Sequence, residues 1–185
     1  MALLLSLLAV LLVFSYGPGV SLGCDLSLDH IQVSKENIAL LNKMQRISSF
    51  RCRGDRKNFG FPWEMVDGSQ VQEAQAFSVL HEMFQETSNI FGSEQSSAAW
   101  NTTLLHGLLS GLHQQLEDLG TCLVPEMKEE ESALGMKDLT LAVNRYFQGI
   151  CLYLKEKQYS DCAWEIVRLE IKRAFSLSTK LLERL

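Results

Sequence analysis

DLTLAVNRYFQGICLYLKEKQYSDCAWEIVRLEIKRAFSLSTKLL, residues 138–182, holds two apolar stripes separated by a polar corner. Leu139, Val143, Tyr146, Ile150 and Leu154 recur every three to four residues, and so do Trp164, Val167, Ile171, Ala174 and Leu181. That period places each set on one face of an α-helix. Ser160 sits at the junction, and a serine there can accept a hydrogen bond from the first free backbone N–H groups of a new helix. The stretch predicts two amphipathic helices in succession.

The same period continues upstream, and a sustained period of two is absent. Ser34–Arg46 predicts a first helix with Ile38, Leu41 and Met44 inward, and Phe77, Leu80, Phe84 and Phe91 mark a second. A third opens after Ser96-Ser97 as candidate caps, carries Leu105, Leu108, Leu112, Leu116 and Leu119, and stops at Gly120. Residues 47–69, with Gly54, Gly60, Pro62 and Gly68, and residues 120–136, with Pro125 and Glu129-Glu130-Glu131, read as long connections. Five helices make an all-α bundle. Links of this length can return the chain along the bundle, as an up-up-down-down topology requires.

The chain has 185 residues, with 17 basic and 22 acidic side chains for a net charge of −5. A mildly acidic chain argues against nucleic acid as the main partner. With 46% hydrophobic residues and 3 prolines, collagen-like and disordered classes are also excluded. Residues 24–185 suit one compact domain.

Residues 1–23 carry no Lys, Arg, Asp or Glu. Leu3 to Phe14 is an apolar run of about 12 residues, short of the roughly 20 that span a bilayer. Tyr16-Gly17-Pro18-Gly19 then breaks it, and Ser21 and Gly23 stand at signal-peptidase spacing. Residues 1–23 therefore read as a removed signal peptide, and Cys24 as the first mature residue of a secreted chain. Leu22-Gly23-Cys24 resembles the end of a bacterial lipobox, but Ser21 and Leu22 fit that pattern poorly. No second long apolar run follows, so no membrane insertion of the mature chain is expected.

Export fits Cys24, Cys52, Cys122, Cys151 and Cys162, which should mostly pair in an oxidising compartment. Two bridges among five cysteines allow about 15 patterns, and spacing does not choose among them. Zinc is disfavoured, since no Cys-x-x-Cys occurs and no His lies at ligand spacing beside a Cys. Asn101-Thr102-Thr103 is the one Asn-x-Ser/Thr sequon and can carry a glycan. Asn101 shares the azimuth of Leu105 and Leu108, so it is exposed only if it lies at the very start of its helix.

Catalysis finds no constellation. His81-Glu82 opens like a zinc-protease helix, but residue 85 is Gln. His106 and His113 are too sparse for a metal site, and no nucleophile elbow, phosphate loop or dinucleotide fingerprint occurs. No enzyme, metal or cofactor is expected. Arg53-Gly54-Asp55 is an integrin-type tripeptide on a predicted loop, which gives an adhesion reading. An exported carrier of an apolar ligand in the bundle is a further rival. The loop is also basic, with Arg46, Arg51, Arg53, Arg56 and Lys57 against Asp55 alone, and suits an acidic protein surface.

The carboxy-terminal third resembles the type I interferon family. Tyr146-Phe147-Gln148-Gly149-Ile150-Cys151-Leu152-Tyr153-Leu154, then seven residues and Cys162-Ala163-Trp164, matches that family's signature. Agreement continues through Glu165-Ile166-Val167-Arg168 and Phe175-Ser176-Leu177-Ser178-Thr179. Upstream, Cys24-Asp25-Leu26, Asp55-Arg56, Phe59-Gly60-Phe61-Pro62, Val79-Leu80-His81-Glu82-Met83 and Ser96-Ser97-Ala98-Ala99-Trp100 extend it over the mature chain. The alpha, omega and tau branch is the nearest.

The resemblance implies a five-helix up-up-down-down cytokine bundle with long crossover loops and two disulfides, Cys24–Cys122 and Cys52–Cys162, leaving Cys151 as a free thiol. It implies a monomer that cross-links the two subunits of the interferon alpha/beta receptor. Kinases on the subunits then start JAK-STAT signalling and antiviral and antiproliferative gene expression. For the high-affinity subunit it marks Arg53, Arg56, Arg168, Leu169, Lys172, Arg173 and Ser176. Asn89, Leu104, Asn144 and Arg145 match the region for the low-affinity subunit. Asn144 replaces a commonly basic residue there, and Leu109 and His113 replace tyrosines of some members.

Overall fold

The computed structural model describes residues 27–66, 73–126 and 130–183; residues 1–23, read as a signal peptide, and Cys24 lie outside them. Every regular element among the described residues is helical: α1 (Ser27–Lys43), a 3-10 helix (Ser49–Asp55), α2 (Trp63–Val66), α3 (Glu73–Phe91), α4 (Glu94–Ala99), α5 (Thr102–Glu126), α6 (Glu130–Glu156) and α7 (Asp161–Leu182).

Helix α1 begins seven residues before the start that its apolar spacing predicts. The reason is chemical: its inward stripe runs His30, Ser34, Asn37, Leu41, Met44, and the first three are polar yet buried. Gln115 of α5 bonds the side chains of Ser34 and Asn37 and the backbone of His30, whose ring faces Asp118 instead. The Gln115 amide donates to Ser34 Oγ at 2.8 Å and to the His30 carbonyl at 3.3 Å, while its oxygen accepts from Asn37 at 2.9 Å. Buried polar groups are tolerated when partnered in this way. Gly111 permits the close approach, since a Cβ there would collide with the Asn37 amide. His30 lies 3.3 Å from Asp118, yet burial outweighs that carboxylate and holds the imidazole pKa below its usual value.

Pairwise contacts give the directions. Leu41 meets Arg168 and Arg46 meets Asp161, so α1 and α7 are antiparallel. Phe84 packs on Phe175 at 5.5 Å and Phe91 on Trp164 at 6.2 Å, so α3 also opposes α7. Helix α5 opposes α1, with Asn37 against Gly111 and Gln115, and His30 against Asp118. Helices α1 and α3 thus run up while α5 and α7 run down, an up-up-down-down bundle whose first crossover contains the 3-10 helix and α2. Helix α6 flanks α3 and α7 as the fifth long helix.

The connection expected over residues 120–136 is shorter than its composition suggests. Residues 120–126 continue α5 and 130–136 open α6, leaving 127–129 outside the described residues. Gly120 does not end the helix; an interior glycine costs about 1 kcal/mol relative to alanine, which a 25-residue helix absorbs. The start of α5 also differs. Ser96 and Ser97 belong to α4, which Ser93 caps, and Asn101 caps α5 by accepting from the N–H groups of Thr103 at 3.1 Å and Leu104 at 3.2 Å.

The core is centred on Leu80, Phe84, Phe91, Leu108, Leu112, Phe147, Trp164 and Phe175, all fully buried. Each contributes roughly 1.5–3 kcal/mol by leaving water. Helix α7 lies among α1, α3, α6 and the 3-10 helix, and for that reason Ala163 to Arg168 are buried without interruption.

Candidate functional site

The basic loop is built onto the α6–α7 corner. Cys52, fully buried, is bonded to Cys162 in the first turn of α7, with Cα atoms 5.2 Å apart. Tyr153 donates its hydroxyl to the Asp55 carbonyl at 2.7 Å, and Lys157 holds the Asp55 carboxylate at 2.8 Å. Burial, with Asp55 nearby, pushes the Tyr153 phenol up to about 12, so it remains a donor at neutral pH. Downstream, Phe59 stands edge-on to Tyr153 at 5.2 Å and Phe61 edge-on to Tyr146 at 5.0 Å. Tyr146 in turn donates to Glu170 at 3.1 Å, and burial first, then the carboxylate, raises its pKa far above the usual range. The loop is therefore attached to two helices, covalently to α7 across 110 residues of sequence and by polar and aromatic contacts to α6.

Its outer side is cationic. Arg51, Arg53 and Arg56 are exposed, and the Arg53 guanidinium lies 3.7 Å from the ring centroid of Phe50, itself 63% exposed. The backbone leaves helical geometry at Cys52, between the two stacked residues. Phe50 is not singled out by periodicity, because it falls in a loop; its one sequence signal is an aromatic residue amid arginines. On α7, Arg173 and Ser176 are exposed, and Leu169 and Lys172 are half-buried. Leu177 is half-buried on the same stripe.

Arg168 is placed otherwise than its family position implies. It is 2% exposed; its Nε and Nη2 donate to the two Glu165 oxygens at 2.8 and 2.7 Å, and its Nη1 to the Leu41 carbonyl at 2.8 Å. A guanidinium so enclosed has no access to a partner's carboxylate. Its work is internal: it joins α7 to a carbonyl in the last turn of α1, where helix carbonyls lack backbone donors.

A second surface belongs to α3, α5 and α6. Asn89 is exposed near the end of α3, accepting from Gln85 at 3.3 Å and donating to Glu86 at 3.4 Å. Leu104, half-buried, stands at the start of α5, at the same end of the bundle, where Phe91 meets Trp100 at 6.2 Å. Arg145 is exposed and Asn144 half-buried on α6. Leu109 is half-buried and His113 exposed beside Glu117 at 3.3 Å.

Cys151 is unpaired and half-buried, and burial, then Glu86, pushes its thiol pKa up. That favours the unreactive thiol. Cys122 lies on α5, but its expected partner Cys24 is outside the described residues. Asn101 is exposed just ahead of α5, the placement that a glycan requires. No group of His, Cys, Asp or Glu among the described residues is arranged to hold a metal ion, and no helix among them is long and apolar enough to cross a membrane.

A family model for the interferon alpha/beta domain matches residues 26–185. Among curated proteins, interferon omega-1 of Bos taurus is 62% identical and interferon tau-11 of Ovis aries 60% identical, each over the whole chain and 95% of the relative. Among solved structures, zebrafish interferon 2 superposes with a TM-score of 0.65 at 19% identity, over 79% of this chain and 94% of that one. That likeness bears on the fold alone.

Proposed function

The chain belongs to the interferon alpha/beta family of non-enzymatic cytokines, and from that premise we propose that it is secreted as residues 24–185 and acts by cross-linking the two subunits of the interferon alpha/beta receptor. Binding brings the subunits' kinases together and starts JAK-STAT signalling, without cofactor or turnover. The observation that carries this reading is the separation of two faces. One joins the basic loop to the outer stripe of α7; the other spans α3, α5 and α6.

On the first face Arg53, Arg56, Lys172 and Arg173 supply cations for receptor carboxylates, with Leu169 and Ser176 between them. A cation stacked on an exposed ring, as Arg53 is on Phe50, suits a desolvated anchor. Arg168 supports this face from beneath. For the second face the reading takes Asn89, Leu104, Asn144 and Arg145, a set with one cation, suited to weaker binding. The bridge Cys24–Cys122 and a glycan on Asn101 complete the proposed mature protein, a monomer. Integrin-type adhesion is disfavoured, because the Asp55 carboxylate is occupied by Lys157.

The test is an interferon-response reporter in mammalian cells, beside matched cells lacking either receptor subunit. Signal lost in both knockouts is the expected result. Arg173→Glu should weaken binding to the isolated high-affinity subunit by about tenfold or more, the loss of one good charged contact. Folded protein that binds neither purified subunit would refute the reading.

A further inference from the structure

Residues 43–57 carry Lys43, Arg46, Arg51, Arg53, Arg56 and Lys57 against Asp55 alone, a local charge of +5 in a chain whose total is −5. The segment is not a free loop. Arg46 pairs with Asp161, Cys52 is bonded to Cys162, Asp55 pairs with Lys157, and Lys57 reaches Glu156. All four attachment points fall within residues 156–162, so the segment is drawn across the α6–α7 corner as a narrow ridge. Its one carboxylate is neutralised by a further lysine. Arg51, Arg53 and Arg56 form no ion pair among the described residues, although each is exposed.

Three exposed guanidinium groups on one anchored segment suit a polyanionic chain. Guanidinium forks match tetrahedral oxyanions in paired hydrogen bonds. Concentrated positive charge on an acidic molecule also excludes generic adsorption over the whole surface. We propose that this ridge binds sulfated glycosaminoglycan chains, as an interaction separate from receptor engagement. The ligand shares Arg53 and Arg56 with the proposed receptor face, so a bound polysaccharide and the high-affinity subunit compete.

The experiment uses the purified, disulfide-bonded chain, a heparin dodecasaccharide, and hyaluronan of matched length, which has carboxylates but no sulfates. About four cations in contact give a log–log salt slope near −3, so affinity for the dodecasaccharide should fall about 50-fold between roughly 50 and 200 mM NaCl. Arg51→Glu should reduce the slope by about one and weaken binding about tenfold. Arg145→Glu, on the other face, should leave the dodecasaccharide affinity within about twofold. Elution of the unaltered chain from heparin at or below about 0.15 M NaCl, where surface charges are already screened over ~8 Å, would overturn the proposal. Equal losses for Arg51→Glu and Arg145→Glu would do the same, as would hyaluronan binding as tight as that of the sulfated chain. Because heparin binding and receptor signalling of the unaltered chain are read in separate assays, failure of one reading leaves the other standing.

Discussion

Arg168 and Glu165 show how far a single residue can depart from its place in a sequence pattern. Both belong to a charged, apparently surface-facing stretch of an amphipathic helix, and both are buried. What the pattern lacks is the enclosure of α7 by three helices and a stapled loop, which removes its outer face between Ala163 and Arg168. Removing one member of a buried pair leaves an uncompensated charge, typically at a cost of about 3–5 kcal/mol. Arg168→Ala should therefore lower the urea unfolding free energy by that amount, through Glu165 and the Leu41 carbonyl together. Glu165→Leu combined with Arg168→Met removes both charges and should cost only about 1–2 kcal/mol, the share of the carbonyl that loses its donor. If the double variant were as unstable as Arg168→Ala, the buried-charge account would be wrong.

At the scale of elements, the five long helices were legible wherever the inward stripe was apolar. Helices α6 and α7 are the clear instances, with Val143, Tyr146, Ile150, Leu154, Trp164, Val167 and Ile171 all buried. Legibility failed where a partner helix supplied what the stripe lacked. The first turns of α1 face inward because α5 sets Gln115 against Ser34 and Asn37 and Asp118 against the His30 ring, and a one-dimensional pattern has no access to those partners. The cap of α5 was misread for a related reason. Ser96-Ser97 is a good cap by type, but the chain first makes α4, and Asn101 takes the position. Asn101 thereby has two separable roles: its Oδ1 closes the helix, and its amide nitrogen is the proposed glycan attachment. Thr103→Ala should abolish the glycosidase-sensitive mass of protein made in mammalian cells, with the Oδ1 cap kept. Asn101→Ala should abolish the same mass and also remove the cap, costing about 1 kcal/mol more when both variants are unfolded without glycan. Equal stabilities would deny the cap any role.

For the whole molecule, the candidate site was only half legible. The family pattern marked two sets of residues, and the fold places them on different elements; the bridge that ties the basic loop to α7 was implied by the resemblance, whereas cysteine spacing alone did not choose it. Cys52 and Cys162 are 110 residues apart, and their bond holds the ridge against α7. Closing a loop of this length stabilises by up to about 4–5 kcal/mol in the chain-entropy model. Cys52→Ser with Cys162→Ser should thus lower the unfolding free energy by no more than that amount. The effect on binding should be unequal. Helix α5 packs against α1 and α3, so the second face is held by contacts that do not involve the bridge. The double serine variant, at a temperature where it remains folded, should lose affinity for the high-affinity subunit by about tenfold or more while keeping its affinity for the other within about twofold. Tyr153 and Lys157 still bind Asp55 in that variant, so the ridge is loosened rather than released. Surface binding measurements on the two separate subunits distinguish this from general destabilisation, which would lower both affinities together and would mean that the two faces are not energetically independent.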